Sequence, residues 1–403
     1  MTDAITQAVR QLYNTYPFPP DPVTDGPPPG YNWRWSVPAA HHFALGWIPR
    51  EWPSLRILDA GCGTGVGTDY LAHLNPTATV VAIDLSEAAL AIAQQRLQRS
   101  GVAHRVHLHH LNLLEVGRLS QTFHYINCVG VLHHLPDPKA GLRALAEVLA
   151  PGGLMHVFVY AYWGRWEIRL LQKAIRLLQP PGGDYRTGVA IGRQLLAHLP
   201  ADNRLVRRER ERWALDNVHD ATFADMYVHP QEMDYTVETL FALIANTGLE
   251  FLGFSNPRYW QLERLLGATP DLLTTARALP PQQQYELVEA LDPELTHFEF
   301  FLGRPPLQRG LPDWQQARPV RSTCMMGWPG RSLLDYDYQP VDLTPLEYDI
   351  LCWATGELTV AELLNQVPGA TPDHLQDLQR RQLLWLQAGA DAAPMGVSAA
   401  GDP

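Results

Sequence analysis

Ile57-Leu58-Asp59-Ala60-Gly61-Cys62-Gly63-Thr64-Gly65 joins a short apolar run to a turn with glycine at every second position. The run reads as a central parallel strand, apolar throughout because both faces are covered. The alternating glycines read as a turn that lets the backbone approach a ligand that a Cβ would push away. Downstream, Val80-Val81-Ala82-Ile83-Asp84 predicts a second strand. Its terminal carboxylate falls about twenty residues after the glycines, where a ribose hydroxyl pair needs an acceptor. The two strands outline half of a nucleotide-cofactor pocket in an α/β fold.

The kind of cofactor depends on where the glycines stop. A dinucleotide turn reads G-x-G-x-x-G, so that the helix packs tightly and aims its N-terminus at a pyrophosphate. Here Val66 occupies the third glycine position, and Asp59 puts a carboxylate at the mouth of the turn. A negative charge suits a cationic ligand better than a phosphate. With an acidic residue ahead of G-x-G-x-G, the stretch resembles the first motif of the class I S-adenosylmethionine-dependent methyltransferases, whose cofactor carries an ammonium and a sulfonium.

The following segments fit the same resemblance over residues 55–162. Residues 104–113 alternate polar and apolar as a half-buried strand does, with His107, His109 and His110 on a solvent-facing edge. Residues 123–132 predict a fourth strand opening onto His133-His134-Leu135-Pro136-Asp137-Pro138, a turn-rich loop. A helix over residues 140–149, the turn Ala150-Pro151-Gly152-Gly153 and a fifth strand over residues 154–160 complete the order. The resemblance implies a Rossmann-like class I methyltransferase sheet flanked by helices, with S-adenosylmethionine as cofactor and S-adenosylhomocysteine as product. It implies cofactor contacts from Asp59, Gly61, Gly63, Gly65, Asp84 and Leu85, with Asn112 at the adenine and Leu113 packed on the ring. His133 and His134 would border the methyl group, as candidate bases or as residues that only shape the loop.

At 403 residues the chain is too long for one such core, and six parts are expected. These are an arm over residues 1–40, the core over 41–162, a helical insertion or acceptor lid over 163–250, the end of the core with a helical connection over 251–310, a C-terminal helical module over 311–389, and a disordered tail over 390–403. In the arm, Tyr13 and Tyr16 precede Pro17-Phe18-Pro19-Pro20. The aromatics form either a strap on the outside of the domain or a lid that closes over the cofactor and excludes water.

Within the insertion, Ile168 to Leu178 separates apolar and basic positions at helical spacing, and Arg204 to Trp213 interleaves arginine with glutamate. The second run is a salt-bridged helix face or a docking surface for an acidic partner. Residues 216–230 set short polar side chains among aromatics and predict the acceptor wall, with Asp225 and His229 as acceptor-side candidates or as supports of the loop backbone. The C-terminal module shows three helical stretches, over residues 343–354, 358–364 and 372–384, in a helix-turn-helix, winged-helix-like pattern. Its charges are mainly acidic, which fits protein contact or a homodimer rather than DNA reading.

The net charge of −11 argues against binding nucleic acid through the overall field. Cys62, Cys128, Cys324 and Cys352 form no C-x-x-C pair, so neither a zinc site nor a disulfide framework is signalled, and the chemistry requires no metal. No run of apolar residues is long enough to span a membrane and no secretory signal opens the chain, so a cytoplasmic protein is expected.

The long insertion and the added module point to a protein acceptor. Size, the Tyr-Pro-Phe-Pro arm and the Gly164-Arg165 helix start resemble cyanobacterial methyltransferases that modify an asparagine of phycobiliprotein β-subunits. That resemblance implies an amide acceptor, although the Asn-Pro-Pro-Tyr signature of some amide methyltransferases is replaced here by Gly130-Val131-Leu132-His133-His134. Three other readings stay open: a quinone or natural-product O- or C-methyltransferase, an RNA methyltransferase with a basic face, and a non-catalytic cofactor-binding adaptor.

Overall fold

The computed structural model of the chain describes residues 4–26, 33–52 and 54–389. The middle of the expected arm, residues 27–32, and the expected tail, residues 390–403, lie outside the described residues. One seven-stranded sheet is built from β1 (Arg56–Ala60), β2 (Thr79–Asp84), β3 (Val106–His110), β4 (Phe123–Val129), β5 (Leu149–Tyr160), β6 (Glu250–Phe254) and β7 (His297–Gly303). Their order is β3-β2-β1-β4-β5-β7-β6. The first five pair in parallel, while β7 runs antiparallel to both β5 and β6. The order reverses between β1 and β4, and the carboxyl ends on either side of that point are where open α/β sheets bind ligands.

Around the sheet lie α1 (Ala4–Thr15), α2 (Val37–Leu45), α3 (Val66–Leu74), α4 (Glu87–Ser100) and α5 (Pro138–Val148). The insertion after β5 holds α6 (Trp166–Leu178), α7 (Tyr185–His198), α8 (Arg204–Arg212), α9 (Asp220–Tyr227) and α10 (Val237–Ile244). Between β6 and β7 run α11 (Leu262–Leu266), α12 (Pro270–Arg277) and α13 (Pro281–Leu291). Leu12 of α1 is buried with Ile168, Leu171 and Ile175 of α6 and with Phe223 and Tyr227 of α9. The N-terminal helix and the insertion therefore share one apolar cluster.

Three sequence expectations are adjusted. The third strand stops at His110, because the Asn112 side chain accepts the Leu114 N–H at 3.0 Å and starts a 3₁₀ turn instead. The fifth strand begins at Leu149 rather than after the Pro151-Gly152 turn, with an irregular register opposite Phe123 and Tyr125 that absorbs the extra residues.

In the C-terminal part, β8 (Arg318–Arg321), β9 (Ser332–Leu334) and β10 (Pro340–Asp342) precede α14 (Pro345–Trp353), α15 (Val360–Gln366) and α16 (Pro372–Arg380). The last helix ends before residue 384, because Leu384–Gln387 forms β11, antiparallel to β8. This part has its own apolar core, which includes Ile350, Leu363, Leu375 and Leu384. Trp385 and Ala388 instead join the cluster that holds Trp33, Trp47 and Phe301 of the rest of the chain. Among the described residues, no helix is long and apolar enough to cross a membrane.

Candidate active site

At the carboxyl ends of β1, β2, β4 and β5 lies a cavity of about 380 Å³, within the size range of small-molecule sites. Its walls include Asp59, Gly61, Gly63, Asp84, Leu85 and Leu113, and also His134 and Asp225. From the N-terminal segment come Tyr13, Phe18, Pro19 and Trp35. The arm is stitched to the glycine turn: Thr64 donates its backbone N–H to the Phe18 carbonyl at 3.0 Å and its hydroxyl to the Pro19 carbonyl at 2.7 Å. Arg96 of α4 adds donations to the carbonyls of Asp21 and Pro22.

The three glycines are also closely packed by protein atoms. All three have positive φ, and a Cβ would meet Val131 Cγ2 at 2.2 Å from Gly61, the Phe18 carbonyl oxygen at 2.2 Å from Gly63, and Ala93 at 2.8 Å from Gly65. Gly63→Ala should therefore displace the arm. We expect cleavage within residues 18–26 by a limiting protease to speed up, whereas Gly101→Ala, at positive φ in open space, leaves it unchanged. Equal cleavage rates for the two variants would show that the clash is relieved without moving the arm.

Two carboxylates, Asp59 buried and Asp84 half-buried, line the glycine-turn end of the cavity. Asp59 is 3% exposed; its Oδ2 accepts the Thr68 hydroxyl at 2.6 Å and its Oδ1 accepts the Asn127 amide at 2.9 Å. Asp84 accepts the N–H of Gly63 and of Ser86, both at 2.8 Å, through different oxygens. Burial pushes both carboxyls above the ordinary aspartate range, and these hydrogen bonds pull the other way. Asp59 has no ion-pair partner among the described residues, and a cation in the cavity would complement it, which fits S-adenosylmethionine. Bound there, this cofactor would supply an electrophilic methyl carbon.

The opposite end is built from residues far apart in sequence. Tyr13 donates to Asp225 Oδ1 at 2.8 Å, and the Tyr160 hydroxyl lies 3.5 Å from Oδ2. His134 and His229 stack with ring centroids 3.7 Å apart. His134 Nδ1 faces the Gln231 carbonyl at 2.8 Å, so that nitrogen carries the proton and Nε2 keeps its lone pair. His229 Nδ1 accepts the Gln231 N–H at 3.1 Å, so its proton sits on Nε2, which is buried with no hydrogen-bond partner among the described residues.

Burial lowers both imidazoles, His134 to about 3, so the pair is neutral at physiological pH. Burial raises the Asp225 carboxyl against the pull of Tyr13 and Arg165. His134, Asp225 and His229 each bring one donor atom within 4.8 Å of the others, a spacing that suits a metal. The tautomer of His229, with N–H on the free nitrogen, suits a hydrogen-bonded ligand better.

Beneath Tyr160 sits a buried cation that the sequence reading left out. The Arg165 guanidinium lies 3.4 Å from the Tyr160 ring centroid and meets Glu232 at 3.0 Å and Asp234 at 3.7 Å. Burial, tempered by Arg165, pushes Glu232 up to about 8. The Gly164-Arg165 start of α6 was the available signal.

Several expected residues lie elsewhere. Asn112 does not line the cavity, because its side chain is spent on the cap described above, and Leu111 stands there instead. Tyr16 packs among the residues of the α1–insertion cluster. His133 is fully buried behind the wall, against His134 and Tyr160, with neither ring nitrogen hydrogen-bonded among the described residues. His229 borders a second cavity of about 430 Å³ instead. Sequence reasoning missed Trp35, Asn127, Phe158 and Tyr160; the last three end or approach the ends of central strands, which was the signal.

Comparison with known proteins agrees with this layout. Residues 58–155 match the family described as "Methyltransferase domain". An uncharacterized protein of Synechococcus sp. is 56% identical over 376 residues, covering 91% of this chain and 89% of that protein. An uncharacterized phycocyanin operon protein W of Pseudanabaena tenuis is 64% identical over 93 residues, 23% of this chain and 87% of that one. The structure of PKMT2 from Rickettsia typhi in complex with AdoHcy superposes with a TM-score of 0.60 at 14% identity, covering 89% of this chain and 77% of that one, a likeness of fold. With the acidic glycine turn, the Asp84 carboxylate and the 3-2-1-4-5-7-6 sheet in one molecule, the chain belongs to the class I S-adenosylmethionine-dependent methyltransferases.

Proposed function

We propose that this enzyme methylates a protein side chain, and that the acceptor is an asparagine amide of a phycobiliprotein β-subunit. The observation that carries the reading is the meeting of two cavities at the His134–His229 stack. The first is lined by the cofactor residues and roofed by α1 and the arm. The second is lined by Tyr162, Arg169, Gln172, Arg176 and the segment from His229 to Asp234, apart from Met233. Tyr162, Trp163, Leu170 and Met233, at or next to residues that line this second cavity in sequence, expose apolar side chains.

The polar groups at the junction suit a neutral amide. The amide carbonyl needs a donor, which His229 Nε2–H offers, and the amide N–H needs an acceptor, which His134 Nε2 and Asp225 offer. Held by both atoms, a weakly nucleophilic nitrogen is oriented toward the methyl group as its proton passes to a neighbouring base. The relative named for a phycocyanin operon supports the choice of acceptor protein.

The test is incubation of the purified enzyme with methyl-labelled S-adenosylmethionine and unmethylated phycobiliprotein β-subunit, in parallel with RNA and a small-molecule extract. Label in one asparagine-containing peptide is expected. Label confined to the small-molecule or RNA fraction would overturn the protein acceptor.

A further inference from the structure

A line of polar side chains crosses the sheet beneath the cofactor cavity, from Asp59 to the far side of β7. Asp59, Asn127 and His156 are register partners on β1, β4 and β5, so their side chains share one face. Glu299 on β7 pairs with Phe158 and is therefore the diagonal neighbour of His156, within reach of a long side chain. The links are short: Asn127 Nδ2 donates to Asp59 at 2.9 Å, Asn127 Oδ1 meets His156 Nδ1 at 2.9 Å, and His156 Nε2 meets Glu299 Oε1 at 2.9 Å. Arg34 Nε closes on Glu299 Oε2 at 2.8 Å, and the Ser255 hydroxyl donates to the same oxygen at 3.1 Å.

The proton inventory sets the direction of every link. An ionised Asp59 accepts only, so Asn127 must present its NH₂ to it. That leaves the Asn127 carbonyl oxygen facing His156, whose Nδ1 must donate, while Nε2 faces a carboxylate and donates as well. An imidazole between two acceptors uses both N–H groups. Burial lowers His156 from its ordinary value, against the pull of the Glu299 hydrogen bond and charge, so it is the two flanking acceptors that ask for both N–H groups. Burial also works against an ionised Glu299, but the His156 hydrogen bond and the Arg34 charge outweigh it and hold that carboxyl at about 2. The groups facing this pair are Asn127, Arg34, Ser255 and His297, with the Phe301 ring 5.3 Å from the imidazole.

We propose that His156 and Glu299 are positioning residues for the cofactor-side carboxylate: through the orientation of Asn127 they hold a donor on Asp59, and Arg34 anchors the line. The proposal rests on the reading that Asp59 faces the ammonium end of the cofactor. Neither residue is among those lining the cavity, so their effect passes through Asn127. Removing the His156 donor frees the Asn127 amide to turn its oxygen toward Asp59, which sets two acceptors against each other.

Calorimetric titration with S-adenosylhomocysteine and with methylthioadenosine, which lacks the amino-acid end, tests this. His156→Phe keeps a ring against Phe301, and Glu299→Gln keeps the shape at the end of the line. Both should weaken S-adenosylhomocysteine by about tenfold, as expected for loss of one charge-assisted contact, and leave methylthioadenosine within about twofold. Adding His156→Phe to Asp59→Asn should cost nothing further. Equal weakening of both ligands would assign His156 a merely structural role and overturn the proposal, as would unchanged affinity for both. If His156→Phe does not fold, the Glu299→Gln titration decides alone. Asp59→Asn by itself separates the premise: if it fails to discriminate the two ligands, Asp59 does not face the ammonium, and the inference falls with that reading rather than with the relay.

Discussion

Asp84→Ala is expected to weaken S-adenosylmethionine binding by roughly 100-fold while the protein stays folded. The carboxylate accepts the N–H groups of Gly63 and Ser86 and lines the cavity at the position where the resemblance expects the ribose hydroxyls. Alanine leaves both N–H groups without their acceptor and removes the charge, a loss of about 2–3 kcal/mol for hydrogen bonds to an ionised group. The Gly63 N–H bond also holds the turn against which the Phe18 carbonyl sits, so the arm loosens with it. Titration calorimetry checks the affinity, and a wild-type value in the variant would remove Asp84 from the cofactor site.

The same pair predicts a pH dependence. Because burial raises Asp59 and Asp84, and each is wanted ionised, Asp59 beside a cation and Asp84 as an acceptor, their protons must leave when the cofactor binds in that range. Affinity in the wild type should therefore fall as pH drops through those raised values, starting at a higher pH than an ordinary aspartate would set, and level off above them. Proton release on binding, read from calorimetry in buffers of different ionisation enthalpy, should vanish in that range when both carboxylates are replaced.

Asp225→Asn should cut kcat by about 10²-fold or more and change cofactor affinity little. The amide keeps the volume and one oxygen for the Tyr13 hydroxyl, so the roof over the cavity stays in place. What it loses is the second acceptor and the charge, raised in pKa by burial and facing the His134–His229 pair. Those are the properties that would take a proton from the acceptor as the methyl group arrives. His134→Gln is milder, since glutamine can still donate to the Gln231 carbonyl. Pre-steady-state methyl transfer measured at saturating cofactor separates the two effects. An unchanged transfer rate in Asp225→Asn would reduce that residue to a support for Tyr13.

The cofactor half of the site was legible because it is local. Asp59, the glycine turn and Asp84 sit at the ends of neighbouring parallel strands, and the β-α-β connection places those ends side by side whatever else the chain does. Even there, only the folded arm reveals that Gly63 also has no room for a Cβ beside the Phe18 carbonyl. Asn112 failed for a related reason: an asparagine after a strand caps a following helix as readily as it meets a ligand, and local spacing cannot choose.

The half of the cavity opposite that turn was decided by tertiary structure. Tyr13 meets Asp225 across 212 positions of sequence, and Glu299 reaches His156 only because β7 enters the sheet between β5 and β6. Both depend on how amphipathic elements settle on one another. The apolar face of α1 that carries Leu12 could be satisfied by many surfaces, and its seat against Ile168, Leu171 and Phe223 is chosen by side-chain packing summed over the whole insertion. The sequence alone thus determined a cationic-cofactor turn on an α/β sheet, because a few consecutive backbone and side-chain preferences suffice for it. What stands opposite that turn was left to long-range packing, which no short stretch of residues encodes.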